Sequence, residues 1–198
     1  SGVPGLLRPR EGRAGERLFV GLMTAAGACA GLAALGALLF RWSSELAAPW
    51  HVPGGRLAIR VDAISAMFVL PIAVLAVLGA WYGLEYWPQR KNPHNGRRLR
   101  AFYGAVTASM LLLVVATNAI LFLVGWEMMT LAGFILVCTE DEKPVVREVG
   151  YVYLLCTRAG TLCLFAMFAL LGALSGTLDF SGWPLALAIL TLLPILPI

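Results

Sequence analysis

Residues 101–139 read AFYGAVTASM LLLVVATNAI LFLVGWEMMT LAGFILVCT, and the division of that run decides the fold. It holds one acidic residue, Glu127, and no basic one. A single α-helix of this length would extend about 58 Å at ~1.5 Å per residue, nearly twice the ~30 Å hydrocarbon core of a bilayer. The run must therefore be two helices. The credible turn is Thr117-Asn118, which leaves spans at 101–116 and 119–138 joined by almost nothing.

Working outward, the segment 63–84 is a second apolar span that leads into the aromatic residues Tyr82, Tyr86 and Trp87, suited to a membrane interface. Before it lies the span 18–40, rich in Gly and Ala and closed by Arg41 and Trp42. Gly27 and Gly31 form a small-x-x-x-small pair that could admit a neighbouring helix closely. The intervening loop, with Pro49, Pro53, Gly54 and Gly55, should be irregular or short-stranded. After the charged cluster Glu140 to Glu148, residues 149–174 are long enough to cross again. The last segment, 184–198, is too short and too interrupted by Pro194 and Pro197 for a complete span. The expected fold is all-α, a polytopic transmembrane helical bundle of five full spans plus a partial sixth, in a single membrane domain over residues 1–198.

Composition agrees. The chain is 60% hydrophobic and 13% charged, where a soluble domain carries about a quarter charged residues. Its fifteen Lys and Arg residues lie between apolar runs and form no stripe for nucleic acid, so none is expected as a partner. Five spans put the loops 1–17, 85–100 and 140–148 on one side, with eleven basic residues, and 41–61, 117–118 and 175–183 on the other, with three. That bias places the first set in the cytoplasm, in a bacterial or archaeal inner membrane or its organellar equivalent.

The four cysteines, Cys29, Cys138, Cys156 and Cys163, sit in apolar segments without C-x-x-C spacing, and His51 and His94 are lone loop histidines. Neither set reads as a metal site. No phosphate loop, nucleophile elbow, haem signature or H-E-x-x-H string occurs, so no cofactor and no redox or hydrolytic centre is expected in this chain.

Glu127 carries the functional argument. A break at Asn118 puts it about nine residues into its helix, near mid-bilayer, where an ionised carboxylate is costly unless paired or hydrated. Apolar surroundings favour its neutral form and a nearby cation its charged form, and such a switchable group is what a proton relay needs. The plainer alternative is a neutral Glu bonding a neighbouring helix, beside Thr130. Arg158, about nine residues into the following span and on one face with Thr161, either pairs with Glu127 or snorkels to carbonyls. Asp62 reads as a helix cap, with a channel-mouth role as the alternative.

The strings Arg60-Val-Asp-Ala-Ile-Ser-Ala-Met-Phe68, Ala108-Ser-Met110, Asn118, Gly125-Trp-Glu-Met-Met-Thr-Leu131, Thr157-Arg-Ala-Gly160 and Gly176-Thr-Leu-Asp-Phe180 resemble, in order and spacing, the antiporter-like subunits shared by complex I, Mrp sodium/proton antiporters and membrane-bound hydrogenases. The phrase Trp-Glu-Met-Met-Thr-Leu, with Gly-Thr-Leu-Asp-Phe later, is most similar to the hydrogenase-4 component B and formate hydrogenlyase branch. The resemblance covers roughly residues 57–183 and implies that Glu127 is the family's intramembrane glutamate, which partners a lysine on the seventh helix of the full subunit. It also implies that this chain is an N-terminal fragment of a longer subunit. Thr161 stands where the distal complex I subunit has an Asp, which favours the hydrogenase-like branch.

The expected function is therefore proton translocation coupled to electron transfer in partner subunits, with Glu127 as the site and Arg158, Thr161 and Thr130 as charge partner or polar pathway. Its partners would be the lipid bilayer, other membrane subunits and a hydrophilic redox arm, and its ions protons or alternatively sodium. An Mrp-type sodium/proton antiporter and a non-transporting membrane anchor are the alternatives.

Overall fold

The computed structural model describes residues 13–48, 50, 57–88, 90–92 and 95–183. Helices α1 (Arg13–Phe40) and α2 (Ala63–Tyr86) flank an antiparallel hairpin of β1 (Ser44–Ala48) and β2 (Leu57–Val61). Helices α3 (Asn95–Val115), α4 (Ala119–Val137) and α5 (Pro144–Ser175) follow, with 3-10 turns at Cys138–Glu140 and Phe180–Gly182. All five helices are long and apolar enough to cross a bilayer, so the polytopic all-α bundle expected from the sequence is the fold. The sixth segment, 184–198, lies outside the described residues, as do His51 and His94.

Three helices start earlier than their apolar runs: α1 at Arg13 instead of 18, α3 at Asn95 instead of 101, and α5 at Pro144 instead of 149. Hydropathy marks the stretch that lipid can cover, whereas backbone hydrogen bonding continues into the charged flank wherever the side chains find partners. Helix α3 opens on Arg97, Arg98 and Arg100, cations at the end where the helix dipole disfavours them. Two ion pairs offset this, Arg98–Asp141 at 2.8 Å and Arg100–Glu16 at 3.5 Å. Pro144 suits the first turn of α5, where its missing N–H would have had no partner.

The break between α3 and α4 falls at Thr117-Asn118, as expected. Asn118 caps α4 by accepting the Ile120 N–H at 2.9 Å, and its amide donates to Asp179 Oδ1 at 2.9 Å. The Thr117 N–H and hydroxyl both donate to the Ala58 carbonyl, at 3.2 and 2.9 Å, while the Phe180 N–H donates to the Thr117 carbonyl at 3.0 Å. The turn is thus held between the β-hairpin and the segment that follows α5. Gly176, at φ 72°, ends α5 in the left-handed conformation that glycine adopts without strain. Asp62 caps α2 through the Ser65 N–H at 2.8 Å, as read from the sequence.

These contacts sort the loops into two sets. Strands 44–48 and 57–61 and residues 117–118 and 178–180 meet at one end of the bundle, while Glu16, Arg98, Arg100 and Asp141 meet at the other. That is the alternation expected of successive membrane crossings.

Small residues fill the helix contacts. Ala34, Ala37, Ala66 and Val69 form one buried cluster between α1 and α2, and Phe19, Val20, Met23, Ala76 and Ala80 form another nearer the charged loops. Small side chains let helices approach where lipid offers no hydrophobic drive to associate. A Cβ at Gly27 would collide with the Val77 side chain and come within 3.2 Å of the Ala73 carbonyl oxygen, whereas one at Gly31 would meet open space. Only the first glycine of the small-residue pair makes a close approach.

Candidate functional site

Helix α4 is 19 residues long, and Glu127 is its ninth, half-buried, on the face toward α5. Arg158 approaches from α5, and its Nη1 donates to Glu127 Oε2 at 2.5 Å. Of the two roles open for Arg158, pairing is the one realised. The pair is incompletely satisfied: Glu127 Oε1 and Arg158 Nη2 are buried atoms with no hydrogen-bond partner among the described residues. One carboxylate oxygen therefore fixes the cation, and the other keeps its lone pairs for a further donor.

Thr130 and Thr161 are both buried but do not touch the carboxylate. The Thr130 hydroxyl donates to the backbone carbonyl of Glu127 at 3.1 Å, its own preceding turn. The Thr161 hydroxyl donates to the Thr157 carbonyl at 3.0 Å and accepts the Trp126 indole N–H at 3.1 Å. Trp126 Nε1 and Thr161 Oγ1 thus form a brace between α4 and α5, adjacent in sequence to Glu127 and within one turn of Arg158. Sequence reasoning singled out Thr161 and missed Trp126 as its partner. The signal was available, since an indole N–H in a membrane span must find an acceptor.

Toward the hairpin end, Phe122, Phe168, Phe180 and Trp183 pack tilted and edge to face around Leu123 and Leu171, closing that side of the α4–α5 contact. Beyond them a polar recess of about 150 Å³ is lined by Glu45, Arg60, Asp62, Ser65, Thr117 and Asp179, among others. Arg60 bonds Glu45 at 2.8 Å. That hydrogen bond and the charge of Glu45 push the guanidinium pKa above its ordinary value. Asp62 is thus both a helix cap and part of the recess wall.

A second buried ion pair, Glu16–Arg100, lies at the charged-loop end. The sequence offered a clue to it, because opposite charges begin two spans that share one end. All four cysteines are free thiols, and among the described residues no cluster of three His, Cys, Asp or Glu side chains could hold a metal ion.

Residues 116–192 match the membrane family described as NADH:quinone oxidoreductase/Mrp antiporter, TM. Hydrogenase-4 component B of Escherichia coli (strain K12) is 34% identical over 128 residues, which cover 64% of this chain and 19% of that protein. NADH-quinone oxidoreductase subunit L of Mycobacterium tuberculosis (strain CDC 1551 / Oshkosh) is 32% identical over 143 residues, covering 68% of this chain and 22% of that one. The chain therefore spans about a fifth of the length of the curated relatives it matches. Its fold resembles a chain in the structure of the Mrp complex from Dietzia sp. DQ12-45-1b, with a TM-score of 0.57 over 84% of this chain and 20% of that one, at 21% identity. With its five apolar helices, this chain belongs to the antiporter-like membrane subunits of the NADH:quinone oxidoreductase, Mrp and hydrogenase family.

Proposed function

We propose that this chain is the N-terminal part of a proton-translocating subunit in a redox-driven complex, with Glu127 as the group that loads and releases the proton. The observation that carries the reading is the Glu127–Arg158 pair, with one carboxylate oxygen bonded and the other buried and open. An acid in a membrane span that is half-neutralised in this way can exist in either charge state. With Arg158 as counter-ion the carboxylate is tolerated, and with a proton on Oε1 the carboxyl is neutral and can donate onward. Arg158 itself keeps its charge at any ordinary pH, so its part is electrostatic.

On this reading the energy comes from electron transfer in partner subunits. Those partners are further membrane subunits and a hydrophilic hydrogenase or dehydrogenase arm, in keeping with relatives that are hydrogenase and quinone oxidoreductase components. The charged-loop end faces the cytoplasm on the positive-inside bias of the loops.

The test is Glu127→Gln in the full-length subunit within its assembled complex, reconstituted in vesicles, with proton movement and electron transfer measured together. The amide keeps volume and hydrogen bonding but cannot exchange a proton. Proton translocation should fall while assembly persists. Loss of assembly with no separable transport defect would instead identify the pair as a static anchor, and sodium-dependent transport with no redox coupling would identify an Mrp-type antiporter.

A further inference from the structure

The Glu16–Arg100 pair is the most buried ion pair among the described residues, with side-chain exposures of 9% and 8%. Nothing in the Glu127 mechanism uses it. Glu16 lies in the first turn of α1 and Arg100 in the second turn of α3. The two cross the bundle at the charged-loop end, beneath the C-terminal turn of α2.

Glu16 has a second property that a purely structural ion pair does not need: it borders two cavities at once. On one side is an open recess of about 780 Å³, whose charged lining is Arg17, Glu85, Arg90 and Lys91. On the other is an inner cavity of about 40 Å³ between α1, α2 and α3, reached by Arg100, Trp87 and Tyr103. The outer recess is broad and charged, as an aqueous mouth is. The inner one has room for a water molecule; its wall is mostly apolar, from Phe19, Val20, Leu84 and Leu99, with Glu16, Arg100 and Trp87 as the polar groups that could hold one. Trp87 Nε1 is buried there and bonded to nothing among the described residues, so the wall offers a donor. The Tyr103 hydroxyl faces elsewhere, donating to the Leu75 and Ala76 carbonyls at 2.9 and 3.2 Å.

We infer that Glu16 is a second proton-exchanging carboxylate, standing between the charged recess and a hydrated inner cavity and forming the inlet at this end of the bundle. In the exchange, the Glu16 carboxylate takes a proton from a hydronium ion in the recess, leaving water there, and passes it to a water molecule held in the inner cavity by Trp87 Nε1–H. Arg100 keeps its charge throughout and stabilises the carboxylate between transfers. Among the described residues, the other charged side chains lining the recess with Glu16 are Arg17 on its own helix, Glu85 on α2, and Arg90 and Lys91 beyond it.

The biological sense of this inlet rests on the proton-transport reading, but its existence can be tested without transport. The intact complex is treated with a water-soluble carbodiimide and an amine nucleophile at several pH values, and modified carboxyls are mapped by peptide mass spectrometry. Glu16 should be modified, increasingly so as the pH falls, although it is far more buried than Glu85 or Glu142. An unmodified Glu16 in a sample where Glu85 and Glu142 react would overturn the inference, because the pair would then be dry and static. In parallel, Glu16→Gln should slow proton translocation on the order of a hundredfold, the lower end for a positioned proton-transfer group. Glu16→Asp should restore part of the rate. Modified Glu16 together with Glu16→Gln transport at the parent rate would also overturn the inlet. Should Glu16→Gln fail to assemble, labelling of the parent complex decides alone. If Glu127→Gln transports normally, the proposed function fails while the labelling still reports on Glu16.

Discussion

Removing Arg158 is the sharpest test of the intramembrane pair. In Arg158→Met the side chain keeps its approximate length and apolar stem but loses the cation that bonds Glu127 Oε2 at 2.5 Å. Two unit charges with centres roughly 4 Å apart attract by about 4 kcal/mol at an effective dielectric constant near 20. Both side chains are partly exposed, Arg158 by 40% and Glu127 by 27%, so we halve that figure to about 2 kcal/mol for screening. Without the cation the carboxylate form loses that stabilisation, and each turnover must supply the energy to form it. At about 1.4 kcal/mol per decade, the translocation rate should fall roughly thirtyfold. The assay is fluorescence quenching of a pH-sensitive dye in vesicles holding the complex, normalised to electron transfer. Because both changes act on one site, Arg158→Met combined with Glu127→Gln should be no slower than Glu127→Gln alone. Losses that multiply in the double variant, or an Arg158→Met rate within about twofold of the parent, would refute the pairing argument.

Thr161→Val removes the acceptor of the Trp126 indole and should lower the stability of the α4–α5 contact by about 1 kcal/mol, read as a drop in thermal melting of the detergent-solubilised complex. Thr161→Ser should behave as the parent, and a Thr161→Val transport defect as severe as that of Glu127→Gln would show that the hydroxyl is a relay. Gly27→Ala should destabilise the α1–α2 contact by about 1–3 kcal/mol through overpacking against Ala73 and Val77, whereas Gly31→Ala should be silent in the same melting assay. Single cysteines at Ser181 and Glu142, both exposed, should react with impermeant thiol reagents from opposite sides of the membrane. Position 118 is unsuitable for this purpose, since Asn118 is buried. Labelling of both positions from one side would refute the five-crossing topology.

The sequence by itself determined the five apolar helices among the described residues, the break at Thr117-Asn118 and the placing of Glu127 midway along its helix. Those features follow from one-dimensional quantities: run length against bilayer thickness, the apolar character of each run, and the cost of an acid far from water. The family strings were legible for the same reason, being local in the chain. The helix starts at Arg13, Asn95 and Pro144 were not legible. They depend on where charged flanks find partners such as Asp141 and Glu16, which lie 43 and 84 residues away from theirs. The partner of Glu127 was equally undecided, because a long Arg side chain on a lone helix can turn to an interface as readily as to a neighbouring acid. Only the docking of α5 against α4, fixed by the Trp126–Thr161 brace and the aromatic packing around Phe168, sets Arg158 beside Glu127. The same packing assigned Thr161 to the brace and Thr130 to its own helix backbone, because a hydroxyl in a span bonds whichever acceptor the neighbouring turn or helix brings within reach.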